Sequence, residues 1–111
     1  MVTDTQLIKG LLEGCILGLA RHDDVYGYRM VEMLGARGFD VNEATVYPIL
    51  VRLENRGFLS AEMRPSAIGP ARKYYRLTSQ GRVYLEEFMA LWLRTRDVVD
   101  RILAEREGEV T

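Results

Sequence analysis

Apolar positions recur along the chain with two different periods, and each period predicts an element. Ile8, Leu11, Leu12, Cys15, Ile16 and Leu19 fall three and four apart, the spacing that lines one face of a helix. Thr3 or Asp4 can cap that helix, which is expected to run to about Ala20. Leu7 and Leu17 widen the stripe beyond one core face, implying burial both by the domain and by a second subunit. Gly14 and Gly18, four apart, would let another helix approach closely. Tyr26-Gly27-Tyr28 opens a second helix, with Met30, Val31 and Leu34 at core spacing and a stop near Gly35 to Gly38. Asn42 then caps a third helix closed by Gly57, in which Val46, Ile49, Leu50 and Leu53 form the inward stripe. Pro48 lies inside it, close enough to the start for a tolerated kink.

After Gly57 the period changes to two. Phe58, Leu59, Ala61 and Met63 alternate loosely with polar residues, Pro65 to Pro70 supply turn chemistry, and Arg72 to Leu77 alternate again. The pattern predicts a two-stranded hairpin with a loop at 65–71. Tyr75 and Leu77 would share its inner face, and Arg72, Tyr74 and Arg76 its outer one. Thr78 to Gly81 start a last helix reaching about Arg106, with Leu85, Phe88, Trp92, Val99 and Ile102 near a three-four repeat. Met89, Leu91, Leu93, Val98 and Leu103 broaden that stripe. At 1.5 Å per residue it is roughly 40 Å long, more than a small domain can cover. Its end is expected to bury itself in a second copy.

The far side of the third helix is unlike a solvated surface. Stepping about 100° per residue, it carries Ala44, Pro48, Val51 and Asn55, flanked by Thr45 and Arg52 on one edge and Tyr47 on the other. Small, weakly polar residues beside an Arg and a Tyr suit close approach to another surface, and the DNA major groove admits such a helix. Packing against a partner protein is the other reading. Two short helices joined by a Gly-bearing turn, followed by a hairpin, match a winged helix-turn-helix. The fold expected is mainly α with a small β-hairpin, a winged helix-turn-helix (1–82) plus a long C-terminal dimerisation helix (83–111).

Composition supports one folded domain: 111 residues, 48% apolar and 28% charged. The net charge of −1 resolves by region into −2 for residues 1–36, +4 for 37–82 and −3 for 83–111. Positive charge thus gathers where phosphates would be met. Arg64, Arg72 and Lys73 crowd the base of the wing, where they could neutralise phosphates; protection of an exposed hairpin edge is the plainer reading. Cys15 is the single cysteine, consistent with a reducing cytoplasm and a small core residue. No apolar run spans a bilayer and the N-terminus lacks a secretion signal, so a cytoplasmic protein without a membrane partner is expected. His22 beside Asp23 and Asp24 has no other His or Cys near it and reads as a solvated turn capping the second helix rather than a metal site. One His, one Cys and no spaced carboxylate pair offer no general acid–base set, and neither an enzyme nor a cofactor is expected.

The chain resembles the PadR transcriptional regulators. The likeness is carried by Leu12-Glu-Gly-Cys-Ile-Leu-Gly-Leu19, Tyr26-Gly-Tyr28, Glu43-Ala-Thr-Val-Tyr-Pro-Ile-Leu50, Arg52-Leu-Glu54 with Gly57, and Gly69-Pro-Ala-Arg-Lys-Tyr-Tyr-Arg-Leu-Thr78 with Gly81. Together these cover most of residues 11–82. The short C-terminus is similar to the compact subfamily with a single C-terminal helix. The resemblance implies a homodimeric repressor of double-stranded DNA that meets its operator through Ala44, Thr45, Tyr47, Pro48, Arg52, Arg72 and Lys73. It implies a dimer seam made by the last helix with help from the first, here Leu11, Cys15, Leu85, Phe88, Trp92, Val99 and Ile102. It also implies response to a small aromatic or hydrophobic effector, for which Trp92 is the candidate; ordinary packing at the seam stays open beside it. Glu43, and Ala67 and Ile68 in the wing loop, make this interface less basic than the family pattern. A winged-helix module that binds protein without DNA is the alternative function, since fold alone does not decide.

Overall fold

All four inward residues of the third helix, Val46, Ile49, Leu50 and Leu53, are buried. Around them the computed structural model, which describes residues 4–106, builds a mainly α winged helix. The order is α1 (Asp4–Leu19), β1 (Val25–Tyr26), α2 (Gly27–Ala36), α3 (Glu43–Asn55), β2 (Leu59–Arg64), β3 (Arg72–Leu77) and α4 (Ser79–Ala104). Leu12, Ile16 and Leu17 of α1, Ala20 just after it, Met30 and Leu34 of α2, Val25, Leu59, Tyr75 and Leu77 of the sheet and Leu85 of α4 complete the core. Each large aliphatic side chain so buried contributes roughly 1.5–3 kcal/mol, so the stripe on α3 is a large share of what holds the domain together.

Both ends of α3 are fixed locally. The Thr45 amide donates to Asn42 Oδ1 at 3.2 Å, and Asn42 is the extended N-cap residue. At the other end Gly57 takes φ +83°, a left-handed conformation that suits glycine. There Gly57 N–H donates to the Glu54 carbonyl at 2.9 Å and Phe58 N–H to the Leu53 carbonyl at 3.0 Å, a Schellman closure. Pro48 sits within α3 without interrupting it.

The structure departs from the sequence expectations in several places. The hairpin is the larger part of a three-stranded antiparallel sheet of order β1-β3-β2, because Val25 and Tyr26 pair with Tyr75 and Tyr74. Tyr26 therefore ends a strand, and α2 starts at Gly27. A two-residue strand has no period to read. The inner face of the hairpin holds Tyr75 and Leu77 as expected, but Met63 is exposed. Asp4 is already helical, and the Thr3 cap lies outside the described residues. Leu17 is fully buried by its own subunit, whereas Leu7 is exposed. Gly14 is covered within the chain by the Phe88 ring, which a Cβ there would meet at 2.2 Å; Gly18 faces open space.

The start of α4 is locked to the end of α3. Gly81 N–H donates to Thr78 Oγ1 at 2.9 Å, and the Thr78 hydroxyl donates to the Gly57 carbonyl at 2.6 Å. A Cβ on Gly81 would lie 2.1 Å from the Phe58 carbonyl oxygen, so the two backbones approach as only glycine allows. Helix α4 runs unbroken through the expected boundary at 82/83. Gly81→Ala is expected to destabilise the fold by about 3 kcal/mol, since backbone must move to make room; denaturant unfolding at fixed protein concentration measures it.

Candidate nucleic-acid interface

Helix α3 turns outward the face its sequence set apart. Ala44, Tyr47, Pro48, Val51, Arg52 and Asn55 are exposed, and Thr45 is half-buried beside its Asn42 cap. Tyr47 leans across the start of α2, where a Cβ on Gly27 would come within 2.9 Å of its ring. Burial, and after it the Glu43 carboxylate, pushes the Tyr47 phenol above its ordinary value, so it remains an O–H donor. Tyr47, Leu50 and Val51 share a groove of about 480 Å³ with Arg72 and Lys73 of β3 and with Tyr26 and Tyr28. The helix and the wing thus form one concave surface.

The cations on that surface differ in how free they are. Arg72 lies over the Tyr26 ring, 4.4 Å from its centroid, and has no carboxylate partner among the described residues. Lys73 is paired with Glu54 of α3 at 2.7 Å, which pushes its ammonium up. Arg52 is paired with Glu13 of α1 at 2.7 Å. Arg64 donates to Asp24, lies 4.6 Å over the Tyr74 ring and reaches Glu62 at 3.5 Å. Of the four cations expected to meet DNA, Arg72 alone is therefore held by an aromatic face without an acid.

Asp24 is the residue sequence reasoning placed wrongly. It does not cap α2, whose N-cap Tyr26 has no side-chain cap bond. Instead it accepts from Arg64 of β2 and from Arg76 of β3, whose Nε and Nη2 donate at 2.9 and 2.8 Å. Together with Arg72, Tyr26, Tyr74 and Arg64, whose two tyrosine rings meet edge to face at 5.4 Å, it ties the wing to the turn before α2. These partners are 40 and 52 residues away in sequence, and no local pattern announces them. Glu13 and Glu54 were missed for the same reason. Among the described residues there is no cluster of three or more metal-ligating side chains.

The residues expected at a dimer seam divide. Leu85 is 5% exposed and belongs to the core of its own subunit, which corrects the expectation. Phe88 is half-buried on Gly14, and Leu11 and Cys15 are half-buried on α1; burial pushes the Cys15 thiol up. Beyond them Leu91, Trp92, Leu93, Val98, Val99, Ile102 and Leu103 stand uncovered along α4, with Trp92 39% and Leu103 78% exposed. No helix among the described residues is long and apolar enough to cross a membrane.

The model of the transcriptional regulator PadR-like family matches residues 16–87, which includes α3, the wing and the start of α4. The chain belongs to this family. A PadR-like transcriptional regulator from Bacillus cereus, known as a crystal structure, is 37% identical, with a TM-score of 0.81 over 91% of this chain and 99% of that one. A transcriptional regulator of Mycobacterium tuberculosis is 40% identical over 72 residues, 65% of this chain and 66% of the relative. The fold is also that of Bacillus subtilis PadR, whose crystal structure is a complex with operator DNA: 24% identity, TM-score 0.66, 71% of this chain and 46% of that one. This PadR-like regulator therefore has the family's winged helix, with intramolecular ion pairs at Arg52, Lys73 and Arg64.

The Asp24 clasp adds one carboxylate's contribution to stability that acid removes. The bond from Arg76, then that from Arg64, holds the Asp24 carboxyl well below the usual carboxylate range. A depressed folded-state value means that its contribution is complete above the unfolded value of about 3.9 and is lost as pH falls toward the folded one. In thermal melts from pH 2 to 6, the gap between wild type and Asp24→Asn is expected to be constant above about pH 5 and to shrink below about pH 4. A gap independent of pH would remove Asp24 from the acid limb.

Proposed function

We propose that this regulator is a cytoplasmic homodimeric repressor that places α3 in the major groove of a pseudo-palindromic operator and rests its wing on the backbone. The observation that carries the reading is the continuous concave surface formed by the exposed face of α3 and the wing, with Arg72 unpaired by acid at its edge. Thr45, Pro48 and Arg52 would meet base edges and thymine methyls, Ala44 would allow the approach, and the Tyr47 phenol would donate to a phosphate. Arg72 leads the phosphate contacts. Lys73 and Arg64 join only by sharing or exchanging their acid partners. The operator-bound B. subtilis PadR supports the same use of the fold.

Two copies would meet through the uncovered stretch of α4, with α1 contributing Leu11 and Cys15. Residues 1–82 then read DNA and residues 83–111 hold the pair together. Because Thr78 and Gly81 lock α4 to the end of α3, a shift at the seam would be carried to the reading helices. Half-sites lie about one helical turn, roughly 34–36 Å, apart, so a changed separation would no longer fit them. A flat aromatic or hydrophobic effector lodged beside Trp92 would act in this way; seam packing is the plainer role of that ring.

A second reading, a winged module that binds protein alone, is favoured by one observation. Glu13, Glu54 and Asp24 neutralise Arg52, Lys73 and Arg64 in turn. Retention on random DNA at low salt with release as salt rises separates the two, because a protein-binding face has no reason for it.

Selection of bound fragments from a random DNA pool by the purified protein is expected to return an inverted repeat, and failure to enrich any sequence would overturn the proposal. Arg72→Ala should weaken binding to all sequences and flatten the slope of log affinity against log salt by about one; an unchanged slope takes Arg72 off the backbone. Val99→Glu should convert the dimer to monomer in sedimentation velocity at micromolar protein, as a charge in an apolar seam loses its water.

A further inference from the structure

Glu13 lies on α1, outside the face proposed to meet DNA, yet it holds Arg52 of α3 and Arg56, the residue that ends that helix. Arg52 donates through Nε and Nη2 to the same oxygen, Glu13 Oε1, at 2.9 and 2.7 Å. Arg56 Nη1 stands 3.6 Å from Oε2, and the Tyr84 hydroxyl of α4 donates to that oxygen at 3.5 Å. Arg56 is itself seated over the stacked rings of Phe58 and Tyr84, at 4.9 and 5.3 Å. The Glu13 side chain is only 17% exposed, while Arg52 remains 48% exposed. One carboxylate therefore joins α1, α3 and α4 where the reading helix presents its Arg.

The geometry matters because a guanidinium has two useful edges. Glu13 occupies the Nε–Nη2 edge and leaves the terminal Nη1–Nη2 edge unused, the one that reaches forward as a fork. We propose that Glu13 is a positioning and selectivity residue of the DNA-reading face: it fixes Arg52 with its free fork toward a guanine edge, and it cancels charge that phosphates would otherwise attract. This inference rests on the DNA-binding reading above. An Arg held by a half-buried acid has lost much of its freedom before it binds, so a correctly placed O6/N7 pair gains more from it than a phosphate at a variable position does. Without the acid, Arg52 becomes a mobile, unpaired cation beside the groove, and Arg56 keeps its seat over the rings with its charge uncompensated. They would then favour any duplex.

The test compares wild type, Glu13→Gln and Arg52→Lys as full-length dimers, each titrated with a selected duplex and with a random duplex of equal length across a range of salt. For Glu13→Gln, random-duplex binding is expected to tighten several-fold and its salt slope to steepen by about one, one added phosphate contact. Preference for the selected duplex is expected to fall about tenfold, the range one bidentate contact supplies. Selection from a random pool should show a guanine in each half-site that both Glu13→Gln and Arg52→Lys lose. Wild-type slope and wild-type preference in folded Glu13→Gln would overturn the proposal. If that variant melts out, Glu13→Asp replaces it, with the charge kept and the reach shortened. Glu13→Asp should keep the slope and lose the guanine, and full preference there would be equally fatal. Absence of salt-sensitive DNA binding by wild type would instead remove the DNA reading itself.

Discussion

Everything the molecule presents outward follows from how α3 is seated. Val46, Ile49, Leu50 and Leu53 can be buried only if the helix lies with that side against α1, α2 and the sheet. Because a helix has one register of faces, committing those four residues inward commits Ala44, Tyr47, Pro48, Val51 and Asn55 outward. The caps at Asn42 and Gly57 fix where the helix begins and ends, so its outer face has a set length as well as a set direction. The same closure delivers Phe58 to the start of the wing and its carbonyl to the first turn of α4. Helix α3, the wing and α4 thus share one joint.

A small domain with basic residues on one face must manage repulsion within that face. Here each of three cations finds an acid from a neighbouring element: Arg52 from α1, Lys73 from α3 and Arg64 from the turn before α2. Surface pairs of this kind contribute little stability singly. Their larger effect is geometric, since long flexible side chains are fixed and elements distant in sequence are tied together. Arg72 shows the other solution, an aromatic face that orients the guanidinium and leaves its charge uncompensated. The charge available to a nucleic acid is therefore smaller, and better aimed, than a count of basic residues suggests.

Helix α4 belongs half to the domain and half to something else. Its first turns carry Gly81 and Leu85 into the core and lay Phe88 on Gly14. From Leu91 to Leu103 the apolar residues stay exposed among the described residues. An exposed apolar stretch of this extent is uncommon on a monomer, and it is what supports the proposed association. Rigid continuity from that surface to the end of α3 is what would let events at the seam alter DNA binding.

The elements were legible in the sequence wherever a period or a cap marks them. Four helices, the wing hairpin, the inner stripe of α3 and its outward face all follow from local spacing, because helix and strand geometry turns sequence position directly into facing. The excess of apolar residues in the last helix was equally plain. Tertiary structure alone decided the rest: that Val25 and Tyr26 make a third strand, that Leu85 serves its own core, that Asp24 clasps the wing rather than capping α2, and that Glu13 holds Arg52. Each of these joins residues whose separation in sequence carries no pattern. A pairwise contact between two surfaces exists only once both surfaces have been packed into place.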